Sequence, residues 1–133
     1  MMNDADRAAL MDWITARRNR AHVYGTFDCC TLCADYLVEL RGMKDPMKGL
    51  RGTYDSRAGA QTVMKKGGGL KKIARARLGV MHPMAEAECG SIVYGDYGDG
   101  PALGICTGFN IAAAGEKGLV FSPLSRGEGC WTL

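Results

Sequence analysis

The chain has 133 residues, of which 47% are hydrophobic, and this size and composition fit one folded domain rather than a disordered chain. Its formal net charge of +3 is too small to favour a dedicated nucleic-acid binder. The 19 glycines follow no Gly-X-Y period, which excludes collagen and predicts many tight turns. No run approaches the roughly 18 apolar residues that a membrane span needs, and residues 1–7 carry two aspartates, so we expect neither a span nor a signal peptide.

The first half of the chain has helical periodicity. Leu10, Trp13 and Ile14 recur at spacings of three and four residues, which predicts a helix over residues 4–19. Asn3 or Asp4 would cap it. The same spacing, together with cap residues and glycine stops, predicts three more helices: residues 28–41, 57–66 and 70–78.

From residue 80 onward, short apolar runs are separated by Gly, Asp and Pro, which is typical of strands and hairpins. The predicted strands are residues 91–94, 103–107, 110–113 and 118–121, with residues 130–133 as a last edge strand. Helices followed by an antiparallel meander predict an α+β fold. We expect a single domain over residues 1–133, with a helical half (about 4–79) packed on a small antiparallel sheet (about 88–133).

The sharpest chemical signal is a cysteine, Cys29, directly after Asp28 at the predicted start of the second helix. The positive end of a helix dipole stabilises a thiolate and prepares it as a nucleophile, provided that a base lies nearby. The chain has only two histidines, so the base would be His22, in the preceding loop, or His82, before the first strand. The alternative is that Cys29 is a core residue, as buried free cysteines commonly are.

The six cysteines also allow a zinc or iron–sulfur site. Its thiolates would come from clustered and distant positions: Cys29, Cys30 and Cys33 with Cys89, Cys106 or Cys130. The spacing is Cys-Cys-x-x-Cys instead of paired Cys-x-x-Cys, which makes the metal signal weak, and adjacent helical residues point about 100° apart, so Cys29 and Cys30 do not both face one ion. The candidate metal ligands are Cys29, Cys33 and Cys106. Without a secretion signal we do not expect disulfides. The prediction is therefore a domain without a metal or other cofactor.

Three sequence features together resemble the NlpC-type cell-wall peptidases, which are small papain-like enzymes that cut peptide bonds in peptidoglycan. They are Asp-Cys at a helix start, Gly-x-Ile-Val-Tyr at residues 90–94 and Leu-Gly-Ile-x-x-Gly at residues 103–108. The resemblance implies an NlpC/papain-like fold with Cys29 as the nucleophile. The histidine that opens the later strand in those enzymes corresponds here to Ala102. Alanine cannot accept the thiol proton, so the resemblance implies a degenerate catalytic site.

Landmarks along nearly the whole chain also resemble a phage-encoded family of unassigned function found beside tail genes, whose members tend to lack the histidine. They run in this order: Trp13, Asp28-Cys29, Asp45-Pro46, Leu50-Arg51-Gly52-x-Tyr54, Gly59-Ala60, a Gly-Gly turn, Gly90-x-Ile92-Val93, Ala102-Leu103-Gly104-Ile105, Gly108, Gly118-Leu119, Pro123-Leu124 and Trp131. This resemblance implies a structural component of a phage tail tip or baseplate. Its partners would be other tail-tip or hub proteins, and it would be assembled in the bacterial host cytoplasm and carried in the virion.

Two alternatives remain beside this structural role. The first is an active cysteine peptidase that degrades peptidoglycan during genome entry, with Cys29 as nucleophile and His22 or His82 as base. The second is a cysteine-ligated metal or iron–sulfur protein. None of these three functions requires a nucleic-acid partner.

Overall fold

A computed structural model describes residues 2–133 and shows an α+β fold, which confirms the predicted class. The helices are Asp4–Arg17 (α1), Cys29–Glu39 (α2), Arg57–Lys66 (α3) and Leu70–Leu78 (α4). The strands are His82–Pro83 (β1), Ile92–Asp96 (β2), Pro101–Cys106 (β3), Ile111–Gly115 (β4), Gly118–Ser122 (β5) and Gly127–Trp131 (β6). Among the described residues, no helix combines the length and apolar character needed to cross a bilayer.

The helix starts follow from side-chain caps. Asn3 accepts a hydrogen bond from the N–H of Asp6 at 2.8 Å, and Ser56 accepts one from the N–H of Gly59 at 3.0 Å. Each cap satisfies a backbone donor that the first turn of a helix leaves unpaired. The bounds of α3 and α4 agree with the predicted ones, whereas α1 and α2 each end two residues earlier than predicted.

The six strands form one antiparallel sheet in the order β1-β6-β2-β3-β4-β5. The expectation that the C-terminal strand lies at an edge is wrong, because β6 pairs with β2 on one side and with β1 on the other. β1 has two residues and both are exposed, so it carries no period-two pattern that a sequence could show.

Helix α2 is the centre of the fold and packs on β3 and β4. It is buried on most of its surface, as expected for a helix that is apolar nearly all round. Its buried residues are Cys30, Thr31, Leu32, Cys33, Ala34, Tyr36 and Leu37. The Tyr36 hydroxyl donates a hydrogen bond to the carbonyl of Gly90 at 2.9 Å. These contacts fasten α2 against the sheet.

The two faces of the sheet bury different side chains. Ile105 and Trp131 belong to the large core between the sheet and α2, whereas Cys106 and Cys130 belong to a smaller cluster on the opposite face. This division follows from the alternation of side chains along a strand. Trp131 is 1% exposed, and its indole N–H donates to the carbonyl of Gly79 at 2.9 Å.

Candidate functional site

A tight loop directly precedes α2. Val23 and Phe27 exchange backbone hydrogen bonds of 2.8 and 2.7 Å, so the chain reverses within five residues. Gly25 lies in this turn with φ +82°, and a Cβ there would collide with the backbone carbonyl of Tyr54. Glycine is therefore required for the close approach. The backbone N–H of His22 donates to the carbonyl of Glu116 at 3.4 Å, which ties the start of the loop to the β4–β5 turn.

The buried carboxylate of Asp28 caps α2 and accepts four hydrogen bonds. One oxygen accepts from the N–H groups of Cys30 at 3.0 Å and Thr31 at 2.9 Å. The other accepts from the N–H of Gly25 at 2.8 Å and from the Tyr54 hydroxyl at 2.6 Å. Hydrogen bonds to a charged acceptor are stronger than neutral ones, so these four bonds fix the position of the carboxylate. Asp28 therefore fixes the first turn of the helix, and with it the position of the following cysteine.

Cys29 is the first residue of α2 and is partly exposed. Its sulfur lies 3.8 Å from the Cys30 sulfur. The hydrogen bond from the Cys30 thiol, together with the backbone N–H groups of Leu103 and Cys30, lowers the pKa of Cys29 below its ordinary value, although burial and the negative charge of Asp28 oppose the shift. Donors aimed at the sulfur favour the thiolate over the thiol.

The pKa values of the two neighbouring thiols of α2 are shifted in the opposite direction. The pKa of Cys30 is raised first by its hydrogen bond to Cys29 and then by burial, and the pKa of Cys33 is raised chiefly by burial. Both side chains belong to the core. Of the three cysteines in this turn, Cys29 is therefore the one that becomes a nucleophile at the lowest pH.

Cys29 opens into a cleft of about 320 Å³. His22 and Tyr24 form one wall, with their rings packed edge to face and the centroids 4.4 Å apart. The remaining lining comes mainly from α3 and the β2–β3 connection: Arg57, Ala60, Gln61, Met64, Asp99 and Pro101. Arg57 and Asp99 face each other at 3.6 Å with both side chains exposed. The cleft therefore brings a thiol and an imidazole to one concave surface, with a volume in the range of small-molecule sites.

The two candidate bases have different surroundings. His22 lines the cleft with Cys29, whereas His82 lies in β1 at the far edge of the sheet, exposed and 3.4 Å from Glu86. Ala102 directly precedes Leu103, whose backbone N–H favours the Cys29 thiolate. The residue that the NlpC resemblance equates with a histidine is thus the chain neighbour of a residue that acts on the Cys29 pKa.

The cysteines of the metal alternative are not brought together. Cys33 lies in α2 and packs in the large core, whereas Cys106 lies in the cluster on the other face of the sheet. In the part of the chain that the structure describes, no three His, Cys, Asp or Glu side chains are arranged to hold a metal ion. All six cysteines are free thiols, and five of them have a raised pKa, so only Cys29 has the electronic character of a ligand or nucleophile.

Two contributors to the site have no role in the sequence-based prediction. The Tyr54 hydroxyl reaches Asp28 from 26 residues away, and the Leu103 backbone reaches Cys29 from 74 residues away. Tyr54 is a landmark of the family resemblance, but a landmark does not reveal its hydrogen-bond partner. A backbone N–H has no sequence signature at all, because every residue except proline supplies one.

We expect Cys29 to react with iodoacetamide at a lower pH than an ordinary cysteine, whose pKa is about 8.5. The reason is that alkylation needs the thiolate, which the surrounding donors stabilise. Fragment-ion mass spectrometry after timed labelling at a series of pH values would measure the alkylation rate of each cysteine separately. Cys33 is the internal control and should stay unlabelled in the folded protein. Equal rates at both positions would contradict this assignment of the thiolate.

The chain was compared with families and with curated proteins. No curated protein matches it. The model of a domain of unknown function, DUF6950, matches residues 2–133, which are the same residues that build the sheet, α2 and the cleft. Because this match spans nearly the entire sequence, the chain belongs to the DUF6950 family.

Proposed function

We propose that this domain is a cysteine hydrolase of the papain-like, NlpC-related type that acts on a peptide substrate bound in the Cys29 cleft. The observation that carries the proposal is the position of Cys29. It begins a helix capped by Asp28, the backbone N–H of Leu103 in the neighbouring strand favours its thiolate, and it lines a cleft that also holds an imidazole. A cysteine that served only to fill the core would resemble Cys33, which is buried and has a raised pKa.

The proposed reaction uses residues of the cleft. His22 accepts the thiol proton, the Cys29 thiolate attacks the carbonyl carbon of the substrate, and the resulting imidazolium gives that proton to the leaving amine. The Asp28 cap leaves the N–H of Cys29 itself unused, so this N–H is available to the developing oxyanion. Water then attacks the thioester, which releases the acid and restores the thiol.

Digestion of peptidoglycan tests this function. We expect the wild-type protein to release peptide fragments that mass spectrometry identifies, and the Cys29→Ser variant to release none because the hydroxyl is not ionised at neutral pH. Cys89→Ser is the matched control, since Cys89 is partly exposed but lies outside the cleft, and it should digest like the wild type. Digestion by Cys29→Ser, or none by the wild type, would reject the hydrolase.

A second candidate is a structural component of a phage tail tip or baseplate, built on the same NlpC-like domain without catalysis. Ala102, at the position that the NlpC resemblance equates with the catalytic histidine, favours this role because it supplies no base. So do the exposed apolar side chains around the edge strand β5: Val120 and Phe121 are each 41% exposed, and Phe109 is 90% exposed. Apolar side chains on a free sheet edge suit docking to a neighbouring subunit.

Mass spectrometry of purified virions would test the structural role. The chain should be found at a fixed ratio to the tail proteins, and Cys29→Ser should assemble like the wild type because the thiol takes no part in docking. Phe121→Asp should reduce incorporation, since it places a charge at the centre of the apolar edge. Absence of the wild-type chain from virions would reject this candidate and leave the hydrolase unaffected.

A further inference from the structure

The charge of the chain is segregated. Residues 57–85, which contain α3 and α4, hold seven of the 17 lysines and arginines and none of the 14 carboxylates. The rest of the chain therefore has ten cations against 14 carboxylates and is net acidic. A mild total charge thus conceals a strongly basic helical pair, which produces a local positive potential at its surface.

A groove of about 540 Å³ runs along this basic pair, outside the Cys29 cleft. Its floor is apolar and includes Leu50, from the loop before α3, with Val63 of α3 and Ile73 of α4. All three side chains are only partly buried, and α3 buries none of its residues. The pair therefore keeps an apolar strip that the domain itself does not cover.

Three cations stand around this floor: Lys66, Lys72 and Arg77. Arg77 is held in place, because its guanidinium donates to the carbonyls of Pro46 at 2.9 Å and Lys48 at 2.8 Å. Within residues 2–133, neither Lys66 nor Lys72 has a carboxylate partner, although the adjacent Lys71 is paired with Glu128 at 2.8 Å. The rim thus offers unneutralised positive charge above an apolar floor.

We propose that the α3–α4 groove binds an acidic amphipathic helix of a partner protein. The apolar side of such a helix would fill the groove, and its carboxylates would pair with the rim lysines. Two other anionic partners, a single-stranded nucleic acid and an anionic membrane surface, fit less well. Residues 55–93 contain no Phe, Tyr or Trp, so the surface lacks both the Phe, Tyr or Trp stacking platforms of single-strand binders and the Trp or Phe anchors of interfacial helices.

Fluorescence anisotropy with designed peptides tests this proposal. The probe is a labelled helical peptide of roughly 16 residues with leucine along one face and glutamate along its borders. A shuffled isomer without the apolar face and a version with lysine in place of glutamate are its controls. We expect only the acidic amphipathic probe to bind, with an affinity that falls as salt is added.

The matched protein variants locate the binding. The double variant Lys66→Glu with Lys72→Glu should weaken binding of the probe by at least about tenfold, because two attractive charges become repulsive. Lys44→Glu with Lys117→Glu changes the net charge equally at exposed positions outside the groove and should bind like the wild type. Unchanged circular dichroism would show that both variants are folded.

Three results would overturn the proposal. The first is that the acidic probe does not bind. The second is that the groove variant and the control variant weaken it equally. The third is that duplex DNA or phosphatidylglycerol vesicles bind the wild type while the probe does not, because the groove would then recognise a phosphate surface. Each result is independent of hydrolysis by Cys29, so failure of the groove and failure of the proposed enzyme are separate outcomes.

Discussion

Replacing Asp28 with alanine is expected to lower the free energy of unfolding by about 3–5 kcal/mol, because each buried donor left unpaired costs about 1–3 kcal/mol. The variant leaves the buried N–H groups of Gly25, Cys30 and Thr31 and the Tyr54 hydroxyl without their acceptor. Loss of the N-cap is part of the same cost. Urea unfolding, followed by circular dichroism, measures the change.

Tyr54→Phe is the control for this prediction. It removes one of the four hydrogen bonds and keeps the ring, so the expected loss is only about 1 kcal/mol. If Asp28→Ala were no less stable than Tyr54→Phe, the carboxylate would not be the element that organises the start of α2. The site would then owe its geometry to the packing of α2 on the sheet alone.

The second large effect is expected for Trp131→Ala, which should cost about 3–5 kcal/mol because truncating a buried aromatic side chain leaves a cavity. Trp131 is 1% exposed, and its indole N–H also satisfies the carbonyl of Gly79 at the end of α4. The variant therefore loses packing in the central core and the hydrogen bond that ties α4 to β6. The midpoint of urea unfolding should fall accordingly.

Trp131→Phe separates these two contributions. Phenylalanine keeps most of the apolar volume but has no N–H, so its expected cost is about 1–2 kcal/mol, from one lost hydrogen bond and a smaller ring. A loss as large as that of the alanine variant would show that the hydrogen bond, and not the volume, dominates. A loss near zero in both variants would contradict the central place of Trp131 in the core.

The helices were predictable from the sequence because their signals are local. The cap at Ser56 and the glycines after Lys66 bound α3, and Asp28 marks the start of α2 and so the place of Cys29. The order of the strands was not predictable, because pairing of β6 with β1 joins residues as distant as Cys130 and His82. The lowered pKa of Cys29 depends on Leu103 in the same way, since sequence spacing does not show which distant backbone donor meets a sulfur.

The chemical half of the site was only partly predictable for a related reason. The choice between His22 and His82 needed the fold, because both histidines lie in segments without a regular period. His22 reaches the cleft through a turn that Gly25 makes possible. The sequence does not show that this turn brings the histidine to the cysteine. The roles of Cys30 and Cys33 also needed burial, since three nearby cysteines look equivalent until their surroundings are known.

The position of β6 between β1 and β2 has a consequence for how the protein is made. β2 lies next to a strand that is synthesised about 35 residues later, so the middle of the sheet stays open until residues 127–131 have left the ribosome. The helical half, which comes first, cannot close its core around Trp131 before then. The core around Trp131 is therefore completed only after the last strand of the sheet has left the ribosome.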